Sequence, residues 1–163
     1  MDREVRPMNR WDKDRMRKTI SVALSARNNG NHPFGAILTD KNGIVLLSAE
    51  NSVITDKDCS AHAELNLIRK ACKAYTAVFL SNCTIFASTE PCPMCAGAIF
   101  WSNIRRVVYG VGEEKLYALI GTESEEILYL PCQDVFNRGN KSIEVIGPLL
   151  EDEALQVHKG FWK

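Results

Sequence analysis

No run in the 163-residue sequence approaches the roughly 20 consecutive apolar residues of a membrane-spanning helix. A surplus of charge is missing too: 20 Lys plus Arg stand against 20 Asp plus Glu, and the pI is about 6.8. A dedicated polyanion binder ordinarily carries a clear basic excess, so the composition argues against that class. No repeat, low-complexity tract or linker interrupts the chain, which leaves no sign of a solenoid or a second module. The opening stretch MDREVRPMNRWDKDRMRK is charged and has no apolar signal core, so the expectation is a soluble cytoplasmic protein without membrane contact. A second Cys-x-x-Cys is also absent, which rules out a structural zinc site closed by four cysteines from two such pairs.

What is present begins with a length suited to one ordinary domain, taken as residues 1–163, with 45% hydrophobic residues to build a core. From Trp11 to Asn29, Met16, Ile20, Ala23, Leu24 and Arg27 recur at three- and four-residue spacing, which predicts a helix stopped by Asn28-Asn29-Gly30. Two apolar runs, Phe34–Thr39 and Ile44–Asn51, flank an Asp40-Lys-Asn-Gly43 turn and predict an antiparallel hairpin. A helix over Ala61–Tyr75, a strand over Cys83–Ala87, a proline-opened helix over Pro93–Trp101 and a strand over Arg105–Gly110 follow. The acidic stretch Glu113–Leu130 reads as short helix plus loop, then a strand at Ile143–Ile146 and a helix at Glu151–Lys159 close the chain. Helices alternating with strands point to an α/β fold, a three-layer α/β/α sandwich.

Two segments carry chemistry: Ala61-His62-Ala63-Glu64 and Glu90-Pro91-Cys92-Pro93-Met94-Cys95. A Cys-x-x-Cys at a helix head offers two thiolates one turn apart, and a third ligand from elsewhere leaves one position of a tetrahedral zinc open for water. Both segments fall at predicted helix starts, where unpaired N–H groups and the positive dipole end favour anionic ligands. Glu64 is rotated by about 200° from His62 on a helix, so it can approach such a water without binding the metal. A carboxylate there can act as general base and then general acid. The six cysteines could instead form three disulfides, or Cys92 and Cys95 could be redox-active; in a chain read as intracellular, reduced thiols are the expectation. Cys59, Cys72, Cys83 and Cys132 are expected to be buried thiols without a ligand role, and His32 and His158 to lie outside the ligand set.

The pairing of His-x-Glu with Pro-Cys-x-x-Cys is the signature of zinc deaminases. From HPFGAI through AHAELN, STEPCPMCAGAIFW and RRVVYG to the closing strand and helix, the chain resembles the cytidine deaminase-like superfamily. The resemblance implies a five-stranded mixed sheet, one Zn2+ on His62, Cys92 and Cys95, and Glu64 as the catalytic proton carrier. It also implies a homodimer, with Asn51 and Ala63 at the substrate. Phe34, Trp101 and the terminal Trp162 are read either as core or as aromatic walls of a base pocket, and Phe161 with Trp162 either as core or as a lid.

The resemblance leaves several substrates open: a free purine such as guanine, a pyrimidine or triazine-type heterocycle, a nucleoside, or adenosine in a tRNA. PFGA, EPCPMC and GAIFW resemble guanine deaminases, whereas NRGNKSIEVIGPLLEDEA resembles tRNA adenosine deaminases. Lys13, Arg15, Arg17 and Lys18 are interspersed with Asp12 and Asp14, and the stretch after RRVVYG carries Glu113, Glu114, Glu123, Glu125 and Glu126. A phosphate backbone would be repelled there, so the expected substrate is a small nucleobase or nucleoside, an aminopurine such as guanine first. A zinc-stabilised scaffold without turnover is the non-enzymatic reading; an intact Glu64, for which a scaffold has no use, speaks against it.

Overall fold

In the computed structural model, which describes residues 10–162, helix α1 (Arg10–Asn28) leads into a hairpin of β1 (Gly35–Thr39) and β2 (Val45–Glu50). The hairpin turns where the reading of Asn-Gly put it. Asp40 Oδ1 accepts from the backbone N–H groups of Asn42 and Ile44 at 2.8 and 2.9 Å, and Gly43 takes a positive φ of 80° that an L side chain resists. Next come α2 (Val53–Asp56), α3 (Ala63–Ala74), α4 (Ala77–Leu80), β3 (Thr84–Thr89), α5 (Pro93–Ser102) and β4 (Arg106–Val111). The chain finishes with α6 (Glu113–Ile120), α7 (Cys132–Phe136), β5 (Glu144–Ile146) and α8 (Glu151–Gln156).

The strands form one five-stranded sheet in the order β2-β1-β3-β4-β5. β1 is antiparallel to β2 and β3, while β3, β4 and β5 run parallel, so the sheet is mixed. Side chains alternate between its faces and separate two cores. Ala36, Leu38, Ile85 and Val107 pack with Leu67, Ala96 and Ile99 of α3 and α5. Ile37, Phe86 and Val108 pack on the other face with Met16 of α1 and Leu149 before α8. Each fully buried side chain of this size contributes about 1.5–3 kcal/mol, which is why the central strands are apolar on both faces. The arrangement is the three-layer α/β/α sandwich expected.

Two local devices hold α1 against the sheet. Gly35 has no room for a side chain, because a Cβ there would lie 2.5 Å from the backbone nitrogen of Ala23. Arg106 of β4 donates to both carboxylate oxygens of Asp12, at 3.3 and 2.8 Å, and to Glu144 Oε2 of β5 at 3.0 Å. This buried fork ties the first helix to the last two strands.

The boundaries depart from the sequence reading where tertiary pairing overrides local pattern. β3 continues through polar Ser88 and Thr89 because Thr89 pairs with Val111 of β4, beyond the predicted end at Ala87. α3 begins at Ala63, with His62 as its N-cap, rather than at Ala61. α8 ends at Gln156, short of Lys159, and α2, α4 and α7 are short helices that no long-range periodicity announced. Of the four cysteines expected to be buried, Cys83 and Cys132 are, but Cys59 and Cys72 are exposed. Cys59 sits in the loop before α3 and Cys72 next to Ala71, the residue that faces the core.

Candidate active site

Helices α3 and α5 lie side by side on one face of the sheet and bring their N-termini together. His62 is the N-cap of α3, and Cys92 is the N-cap of α5 with Pro93 at its first position. Neither side chain caps its own helix. Both are free to face each other, with Cys92 Sγ 3.5 Å from His62 Nδ1. The candidate ligand atoms of His62, Cys92 and Cys95 all lie within 4.8 Å of one another. With Zn–S near 2.3 Å and Zn–N near 2.0–2.1 Å, tetrahedral donors sit about 3.3–3.8 Å apart, so the set is compact enough for one zinc ion. Its donor chemistry, two thiols and one imidazole, also suits zinc and leaves one position free.

The electrostatics agree. The Cys92 thiol is pulled down to about 4, chiefly by the hydrogen bond from Cys95 and also by His62, against its burial. Cys95, which gives that hydrogen bond and is buried, is pushed well up. Thiolate character at Cys92 favours metal binding, and Cys95 must give up its proton to bind zinc. His62 is raised, first by its hydrogen bond with Cys92.

Glu64, second residue of α3, is buried among these groups and is pushed up to about 7, first by burial and then by the neighbouring Cys92 charge. A carboxyl poised near neutrality is suited to accept and return a proton.

A cavity of about 350 Å³ opens beside this cluster and is lined by His62, Glu64 and Cys92. Phe34 and Trp162, both read as possible pocket walls, line it together, with ring centroids 6.0 Å apart. Trp162 is held there by its indole N–H, which donates to His158 Nδ1 at 3.1 Å while the two rings stack. Arg27 secures the same turn by donating to the carbonyls of Val157 and Lys159.

The other anticipated contacts lie elsewhere. Asn51 and Ala63 are buried but do not line the cavity; Asn51 Oδ1 accepts from Val53 N–H at 3.1 Å, and its own N–H donates to the Phe34 carbonyl. Asn51 thus sets the strand end that carries Phe34. Trp101 is outside the cavity and 79% exposed. Six residues after Cys95 on a helix, it is rotated by about 240° from that buried ligand and faces away from the site.

Sequence reasoning missed the far wall. On α6, Glu113, Leu116, Tyr117 and Ile120 line the cavity, joined by Glu126, His32 and Cys59. Their spacing of three, four and seven residues is a helical stripe. The stripe is present in the residues themselves, although composition marks the stretch only as acidic. Glu90, within the cysteine motif, fixes this wall: Oε2 accepts from Glu113 N–H at 3.0 Å and Oε1 from Cys132 N–H at 3.1 Å.

A mixed sheet with three metal ligands and a glutamate at two abutting helix starts defines a zinc-dependent deaminase fold. Residues 9–111 match the family of the cytidine and deoxycytidylate deaminase zinc-binding region, and the chain belongs to that family. It is a hydrolase acting on C–N bonds in cyclic amidines. It is 45% identical over 148 residues to a protein named probable cytosine deaminase from Schizosaccharomyces pombe, spanning 90% of each chain. It is 41% identical over 95 residues to guanine deaminase of Bacillus subtilis, 58% of this chain and 60% of that one. The tRNA-specific adenosine deaminase of the same bacterium is 34% identical over 148 residues, 91% and 86% of the two chains. Among solved structures, guanine deaminase from Nitrosomonas europaea superposes with a TM-score of 0.74 at 26% identity, covering 90% of this chain and 81% of that one.

Proposed function

We propose that the chain deaminates a small nucleobase, with an aminopurine such as guanine as its first substrate. The observation that carries this reading is the cavity wall. Aromatic faces of Phe34, Tyr117 and Trp162 stand beside the carboxyl groups of Glu64, Glu90, Glu113 and Glu126, and among the described residues no lysine or arginine lines the space. Flat rings stack a heterocycle, and carboxyl groups accept from its N–H and amino donors, of which guanine has several. The same wall repels phosphate, which disfavours nucleotides and the backbone of a tRNA.

Zinc held by His62, Cys92 and Cys95 would supply an activated water nucleophile at neutral pH. Glu64 takes a proton from the attacking water at its carboxylate and delivers it to the ring nitrogen next to the attacked carbon; it then takes the remaining hydroxyl proton at that carbon and passes it to the departing amino group as the C–N bond breaks. Amine and water thus become a carbonyl and ammonia. Trp162, docked on His158, forms part of the cavity wall and shields that side from bulk water.

Cytosine is the second reading, favoured by the 45% identity to the fission yeast protein. We further take the enzyme to act in the cytoplasm as a homodimer; among the described residues no helix is long and apolar enough to cross a membrane, and the exposed Trp101 and Met94 offer apolar surface to a second copy. Ammonia release by the zinc-loaded protein from guanine, cytosine, their nucleosides and tRNA tests the assignment. Turnover of guanine, unaffected by added tRNA, is expected. Turnover of cytosine with guanine inert selects the second reading, and salt-sensitive tRNA binding with adenosine turnover sinks both.

A further inference from the structure

Most polar groups around the cavity are already committed. Glu90 receives two backbone N–H groups, Glu64 belongs to the proton transfer, and Glu126 is exposed at the rim. Glu113 and Thr89 differ. Glu113 is 2% exposed and Thr89 is 3% exposed, both line the cavity, and neither the Glu113 carboxyl oxygens nor the Thr89 hydroxyl makes a well-formed hydrogen bond, the backbone N–H of Leu130 reaching Glu113 only as a weak contact. They lie close in the fold, because Thr89 pairs with Val111 two residues before Glu113. Buried polar groups left unsatisfied destabilise a protein, and their presence in a pocket points to a ligand that completes them.

We propose that Glu113, with Thr89 beside it, selects free base over nucleoside by accepting the ring N–H that a free base carries where a nucleoside carries its sugar. This rests on the reading of the cavity as a nucleobase site, but not on which base it takes. Purines place that N–H beside a ring nitrogen, and cytosine places it beside a carbonyl oxygen. Both edges therefore present a donor next to an acceptor. Burial and the neighbouring Glu90 charge push Glu113 up to about 8, and in either protonation state the carboxyl keeps an oxygen that can accept this N–H. A nucleoside has no hydrogen at that nitrogen. It would leave the Glu113 acceptor buried and empty, and its ribose would have to occupy the space against α6.

The test uses the zinc-loaded full chain with two matched pairs, guanine with guanosine and cytosine with cytidine. Wild type should prefer the free base of whichever pair it turns over. Glu113→Leu should shrink the base-over-nucleoside ratio of kcat/KM by about 100-fold or more, mainly by raising KM for the base. Glu113→Gln, which can still accept and donate, should keep most of the preference. Glu113→Leu should also raise Tm, since it removes an unsatisfied buried acid, whereas a structural role would lower it. A wild type that favours the nucleoside, or a Glu113→Gln variant that loses base and nucleoside activity alike, overturns the proposal. If the pattern appears only in the cytosine pair, the guanine reading falls and the role of Glu113 stands.

Discussion

Acidification should unlock the end of the chain through His158. This imidazole is 1% exposed; its Nδ1 accepts the Trp162 indole N–H and its Nε2 is buried without a partner. Burial, with help from the Arg27 guanidinium, depresses it from the ordinary 6.5 to about 4. The unfolded chain therefore takes up a proton near pH 6.5, while the folded chain resists until about pH 4. The associated stability is complete above the unfolded value and is lost as pH falls between the two. At about 1.4 kcal/mol for each pH unit, the gap comes to about 3 kcal/mol. For a chain of this size that corresponds to roughly 6–12 °C in Tm. Thermal denaturation from pH 7 to pH 4 should be compared with His158→Phe, which keeps a flat ring beside Phe34 and Trp162 but cannot titrate. Zinc release and carboxylate protonation act on both proteins and cancel in the difference. Wild type should lose about 6–12 °C more than the variant over this range. Parallel curves would refute the buried neutral imidazole.

Glu64→Gln should retain zinc, measured by elemental analysis, and lose about 10²–10⁴-fold in kcat; loss of metal instead would assign Glu64 to the ligand set. Cys95→Ser should bind zinc weakly and lower Tm, because the buried thiol is both ligand and part of the packing between α3 and α5. Arg106→Met should cost about 3–5 kcal/mol in urea denaturation, since Asp12, 1% exposed, loses the guanidinium that forks onto it. The double variant Asp12→Leu with Arg106→Met should recover part of that loss, and no recovery would show that the fork contributes by packing alone.

The helices and strands that bury one clear stripe were legible in the residues themselves. α1, α3, the β1–β2 hairpin and β4 follow period and turn chemistry that act over a few positions; His62-x-Glu64 and Cys92-x-x-Cys95 are likewise local spacings, but their union is implied by the resemblance and is made by the packing of α3 on α5. The exposure of Trp101 is also implicit in its angle from Cys95 along α5. Other features depend on partners distant in sequence. β3 runs through Ser88 and Thr89 because β4 pairs with them, and Asn51 is drawn to the Phe34 strand by a backbone hydrogen bond.

The wall opposite the metal shows the division most clearly. Composition marked Glu113–Leu130 as acidic, and charge repulsion followed from that alone. Tertiary structure decided that Glu90 straps the start of α6, that Glu113 is turned into the cavity rather than to solvent, and that Trp162 returns from the far end of the chain to stand beside Phe34. The residue types and their short spacings determined which atoms can bind zinc and carry a proton. Only the packing of α6 and the tail against that centre, through contacts spanning much of the chain, determined the shape and polarity of the space a substrate must enter.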